Sequence, residues 1–150
     1  MPSKQVKDIL DHIRSVHHQL NKVCRELSAG EPDARLQLLL EYIGRHEEVF
    51  NSAVRRYEKE ANVKTAIETW LQFSADESIN EAFHDLDLHP GMTAEEIVEQ
   101  VLAFDAKLMT LYRDLADSTS SSQVRELFSD LVQMAEGKQH QYARILQEWE

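Results

Sequence analysis

Four polar residues, His17, Glu47, Asp105 and Lys138, stand where helical apolar stripes should carry apolar side chains. An imidazole and two carboxylates are groups that hold a metal cation, and a lysine ammonium is a group that can balance carboxylates without one. Buried carboxylates are costly unless partnered, so these residues imply either a cation between them or a charge supplied by the chain. On the second reading Lys138 and a protonated His17 together balance Glu47 and Asp105. On the first, His17, Glu47 and Asp105 hold one Fe, Mn or Zn ion, helped by His46 and water.

Each of the four belongs to a different helical stretch, which is how helices packed around a core build an internal site. Helix 1 is expected over 3–27, with Ile9, Leu10, Ile13, Val16, Leu20 and Cys24 at helical spacing and Ser3 as its N-cap. Gly30 should stop it and Pro32 should introduce helix 2 over 33–60, striped by Leu36, Leu39, Leu40, Ile43, Phe50 and Val54. Between 62 and 92 the pattern breaks. There Ile67, Trp70, Leu71 and Phe73 suggest one short helix laid on the others, and the stretch through His84 and His89 reads as irregular. Thr93-Ala94-Glu95-Glu96 is a capping box opening helix 3 over 93–116, and the serine run at 118–122 precedes helix 4 over 121–149. A long middle connection makes helices 2 and 3 parallel. Folding each hairpin about its turn brings His17 level with Glu47 and Asp105 level with Lys138.

Composition bounds what such a protein can do. One hundred and fifty residues make one domain, spanning 1–150, with room for a sizeable core, and four Gly with three Pro favour long helices over a turn-rich β design. A net charge of −11 argues against nucleic acid and anionic membrane surfaces as partners, because both are polyanions. The lone Cys24 can form no internal disulfide, no stretch approaches the roughly 20 apolar residues of a membrane span, and the N-terminus lacks a signal-peptide core. A cytoplasmic protein is the expectation.

Phe104-Asp105-Ala106-Lys107-Leu108-Met109-Thr110-Leu111-Tyr112-Arg113-Asp114-Leu115-Ala116 resembles the third helix of rubrerythrin-like members of the ferritin-like superfamily, where a ligating carboxylate precedes an aromatic by seven residues. Arg45-His46-Glu47-Glu48-Val49-Phe50 is similar to the second helix of that family, which carries Glu-x-x-His, and Leu127-Phe128-Ser129-Asp130-Leu131 opens a fourth helix of the same style. The resemblance implies an all-α, ferritin-like up-down four-helix bundle with a long crossover between helices 2 and 3. It also implies a two-metal centre built from a Glu on two helices and Glu-x-x-His on the others. Carried over by position, this chain offers His17 for the first Glu, Glu47-x-x-Phe50 for the first pair, Asp105 for the second Glu and Ala135-x-x-Lys138 for the second pair. Two carboxylates are too few for a di-iron oxidase.

The leading expectation is therefore a non-enzymatic protein whose ancestral metal centre has become the polar cluster His17, Glu47, Asp105 and Lys138, with no cofactor. It would act on a protein partner or on itself, as a homo-oligomer such as a dimer. The alternative is a mononuclear metal protein with redox or hydrolytic activity at His17, Glu47 and Asp105. Elsewhere the residues read blandly. His12 and His18 fall off the stripe and should face solvent, as should His140, while Cys24 is a small buried hydrophobe and Trp70, Phe73 and Phe83 cover the helices.

Overall fold

The computed structural model describes residues 4–60, 63–71 and 75–149, and the expected cap Ser3 and the aromatic Phe73 lie outside them. Among the described residues the chain is all-α apart from one two-residue strand pair. In order it runs β1 (Lys4–Gln5), α1 (Val6–Gly30), α2 (Ala34–Glu58), α3 (Lys64–Ile67), β2 (Trp70–Leu71), α4 (Asp76–His84), α5 (Ala94–Ser118) and α6 (Ser122–Glu148).

Contacts between helices set their directions. Along α1 and α2, Arg14 bonds Asn51, His17 bonds Glu47 and Asn21 bonds the Gly44 carbonyl, so residue numbers rise on one helix as they fall on the other. Between α2 and α6 the pairs are Arg35 with Trp149, Glu47 with Tyr142 and Tyr57 with Asp130, again antiparallel. The loop at 119–121 turns α5 back into α6. It follows that α2 and α5 run the same way, which is why residues 59–93 must travel the length of the molecule between them. Apolar stripes of all four long helices meet in one core that includes Ile9, Leu20, Ile43, Leu108, Phe128 and Tyr142. Gly44 lets α1 and α2 close together, because a Cβ there would meet Asn21 Nδ2 at 3.3 Å and Cys24 Cβ at 3.4 Å. No helix among the described residues is long and apolar enough to cross a membrane.

Helix starts follow their caps. The Asp33 carboxylate accepts the backbone N–H groups of Arg35 and Leu36, and Ser121 accepts that of Val124. Thr93 and Glu96 form the reciprocal capping box that their spacing implies. Thr93→Ala removes one arm of that box and should cost about 1 kcal/mol in urea unfolding. A cost within a few tenths of zero would mean that tertiary packing alone holds the start of α5.

Three expectations need correction. Helix α1 starts at Val6, with extended Gln5 in the N-cap position and strand β1 before it, instead of at residue 3, and continues to Gly30 instead of ending at Leu27; the break comes at Glu31, whose extended backbone (φ −84°, ψ 121°) is what a residue before Pro32 prefers. Among the described residues the crossover holds two helices, not one. Trp70 and Leu71 leave the helical pattern to pair antiparallel with Gln5 and Lys4, so Trp70 remains exposed, while α4 is a nine-residue helix in the stretch read as irregular. Finally, His12 does not face solvent freely. It is half-buried, with Nδ1 2.8 Å from Asp76 Oδ1 and Nε2 2.9 Å from Asn80 Oδ1, so it ties α1 to α4. His18 and His140 are exposed as expected.

Candidate functional site

All four polar residues meet in the middle of the core. His17, Glu47 and Asp105 are at most 1% exposed and Lys138 is 5% exposed, so no substrate atom reaches them unless helices part. Four separate helices deliver them: α1 supplies His17, α2 Glu47, α5 Asp105 and α6 Lys138.

Glu47 is the most fully partnered. Its Oε1 lies 2.8 Å from His17 Nδ1, and its Oε2 accepts the Tyr142 hydroxyl at 2.7 Å and stands 2.8 Å from Lys138 Nζ. Burial alone would push this carboxyl up, but the Lys138 charge and the His17 and Lys138 contacts outweigh it and hold its pKa at about 2. Asp105 is only half-partnered. Its Oδ1 is 3.0 Å from Lys138 Nζ, whereas its Oδ2 meets no donor, and burial pushes its pKa up to about 7 despite the ammonium. Near neutral pH one carboxylate is therefore fixed as an anion and the other shares a proton with solvent.

Lys138 does not snorkel to water. Its ammonium lies between the two carboxylates, off the ideal hydrogen-bond direction of each, and 4.4 Å over the centre of the Phe50 ring. Burial alone would neutralise an amine here, but the paired charges of Asp105 and Glu47 more than offset it and raise the pKa above the ordinary lysine value. The aromatic face adds a further attraction for the cation.

His17 is where the expected charge balance fails. Burial and the nearby Lys138 charge hold its pKa below 6.5, against the pull of Glu47, so the imidazole is neutral and does not help to balance the carboxylates. With Nδ1–H given to Glu47, its Nε2 carries a lone pair that no donor meets. The ring is packed by Phe50, at 4.4 Å between centroids, and edge-on by Phe104 at 5.7 Å. The cluster thus comprises one ammonium, one firm carboxylate, one carboxyl that titrates near neutrality and one neutral imidazole.

Tyr142 and Phe50 belong to this site although their types suggested only core. Tyr142 is four residues after Lys138 and so shares its face of α6, which is the one signal that could have found its hydroxyl. Tyr112, seven residues after Asp105, is buried with its hydroxyl unpartnered and its pKa raised well above normal by burial and by the Asp105 and Glu47 charges. His46 is not part of the group. Its Nδ1–H donates to the Tyr42 carbonyl one turn back, and its ring packs between Tyr42 and Tyr142. Cys24 is buried, and burial with the nearby Glu47 charge lifts its thiol to about 12, which leaves it without nucleophilic character.

One ligand atom from each of His17, Glu47 and Asp105 lies within 4.8 Å of the other two, close enough for a single ion to touch all three. The donor set suits Fe, Mn or Zn, but the same carboxylates already face an ammonium. A metal and a protonated Lys138 would repel one another across the pocket. Compared with protein-family models, curated proteins and solved structures, the chain matches none.

Proposed function

We propose that this is a ferritin-like helical protein without an enzymatic role, in which a lysine ammonium stands where metal ions would bind, and which acts through a protein partner or its own copies. The observation that carries the reading is the Lys138 ammonium, 2.8 Å from Glu47 and 3.0 Å from Asp105. A chain-supplied cation makes the two carboxylates compatible with burial at no requirement for metal uptake. Burial of every member also leaves a substrate no path to the group unless helices part. Buried polar networks can hold helices in a single arrangement, and that is the role assigned to this one.

A second reading has its own observation. His17 Nε2 and Asp105 Oδ2 are buried without partners, in a group spaced to share one ion. On this reading His17, Glu47 and Asp105 bind one Fe, Mn or Zn ion after Lys138 loses its proton or swings aside.

Elemental analysis and thermal shift with Fe(II), Mn(II) and Zn(II) separate the two, using the natural chain, Lys138→Met and Asp105→Asn. The proposal expects substoichiometric metal and no shift in the natural chain. It expects Lys138→Met to gain metal-dependent stabilisation, since removing the ammonium exposes the donor set. Near-stoichiometric metal in the natural chain, lost in Asp105→Asn, would replace the first reading with the second.

A further inference from the structure

The outer face of the α1–α2 hairpin carries a groove of about 960 Å³, remote in character from the sealed ionic core. Its floor is low because short residues line it, Asn21 on α1 and Ser52 on α2, and because Gly44 lets the two helices close together. Its walls carry Arg25, Arg45 and Arg56, all exposed.

The charges in this groove are unequal in what they already hold. Glu48 is occupied by His18 and Asn51, each at 3.2 Å, and Glu41 accepts the Ser28 hydroxyl at 3.3 Å. The three guanidiniums have no ion pair or hydrogen bond among the described residues. In a chain of 27 acidic and 16 basic residues, three unpaired arginines in one groove are a local reversal of sign. Guanidinium groups bind carboxylates in a two-pronged geometry, so the chemistry sought here is an acceptor carrying negative charge.

Length and apolar content narrow the occupant. Arg45 and Arg56 are eleven residues apart on one helix, about 16 Å along its axis. Arg25 stands on α1 beyond the level of Arg45, because Asn21 already pairs with Gly44. A single small anion would satisfy one of these, whereas a helix laid along the groove reaches all three. Between Arg45 and Arg56 sits Val49, an apolar side chain 60% exposed, which a simple polyanion would leave without a partner. We propose that the groove receives an acidic amphipathic helix of a partner protein, with an apolar residue over Val49 and carboxylates spaced to meet Arg45 and Arg56. Read from the residue numbers, the complementary helix has an acidic residue four positions to one side of its apolar anchor and another seven positions to the other side. This is helix-in-groove recognition with charge selecting the partner.

The proposal deepens the partner-binding half of the proposed function and leaves the ionic core aside, so its failure would not alter the metal result. The probe is a fluorescein-labelled helical peptide of about 18 residues, with Leu as anchor and Glu at the two spacings, compared with the same peptide carrying Lys for Glu. Fluorescence anisotropy should show saturable binding of the acidic peptide only. Affinity should fall at least tenfold in Arg25→Ala/Arg45→Ala/Arg56→Ala and also in Val49→Asp, with far-UV circular dichroism unchanged in both. The single Arg45→Glu, a change at one exposed position, gives the same reading should the triple variant lose helicity. Equal binding of the two peptides, no binding of the acidic one, or full affinity in the folded variants would overturn the proposal. So would linear polyphosphate binding as tightly as the peptide with no effect of Val49→Asp. Self-association by sedimentation that disappears in the triple variant would also overturn it, by assigning the groove to a second copy of the chain.

Discussion

Lys138→Met should lower the unfolding free energy by about 3–5 kcal/mol, the range for removing one partner of a buried ion pair. The substitution conserves most of the side-chain volume, so lost packing is a minor part. What remains is a firmly anionic Glu47 in the core with its ammonium gone, and an Asp105 whose Oδ1 has lost the cation beside it. Adding Glu47→Gln and Asp105→Asn should recover most of the loss, because a neutral amide pair no longer needs a cation. Denaturant unfolding measures both. A single Lys138→Met that costs less than about 1 kcal/mol would show that the ammonium neutralises nothing of consequence.

The second large effect concerns pH, where two members of the cluster oppose one another. The carboxyl of Asp105 has its pKa raised from 3.8 to about 7, so across that window the folded chain keeps a proton that the unfolded chain has lost. Stability from this group falls as pH rises, by about 1.4 kcal/mol per unit. His17 has its pKa lowered from 6.5, so just below that value the unfolded chain takes up a proton that the folded chain refuses. Stability from this group falls as pH drops, at the same slope. Just below pH 6.5 the two slopes oppose one another, and Glu47 adds a loss as pH falls from 4.5 toward about 2.

Single variants should expose the hidden slopes. Asp105→Asn removes the Asp105 limb and leaves the His17 limb, so its stability should rise with pH just below 6.5. His17→Gln leaves the Asp105 limb, so its stability should fall over about pH 4–7. Exposed carboxylates contribute alike to both variants, which makes the comparison insensitive to the overall charge of −11. Urea titrations at several pH values that gave both variants slopes of one sign would contradict the assigned proton positions.

The arrangement of the long helices was readable because their stripes are long and their ends are marked. Twenty-five residues of recurrent apolar side chains in α1 leave little choice of face, and the Thr93–Glu96 box and the serine run at 118–122 mark where α5 and α6 start. The polar interruptions were readable for the same reason, since His17, Glu47, Asp105 and Lys138 occupy stripe positions whose neighbours are buried. Convergence of all four on one point follows from hairpin register.

What escaped the sequence depends on contacts across the fold. The β1–β2 pair is two residues long, too short to show a period, and joins Lys4 to Leu71. Helix α4 buries only Ile79 and Ala82, which gives a nine-residue helix hardly any stripe. His12 looked solvated because its partners, Asp76 and Asn80, lie more than 60 residues away. The charge of His17 is set by burial and by the ammonium of Lys138, and neither is visible in residue type or spacing. Phe50 occupies the position where the resemblance would place a ligating histidine, and only the structure shows its ring facing the ammonium that stands against Glu47 and Asp105.

The state of that ammonium can be observed directly by ¹⁵N NMR of the lysine side chains, with Lys138→Arg used to assign the resonance. One Nζ signal should be protected from solvent exchange at neutral pH, still an ammonium above pH 10.5, and unmoved by Zn(II) or Mn(II). A Lys138 amine that exchanges as fast as the surface lysines, titrates below 10.5, or is displaced on adding metal would contradict its role as the buried cation.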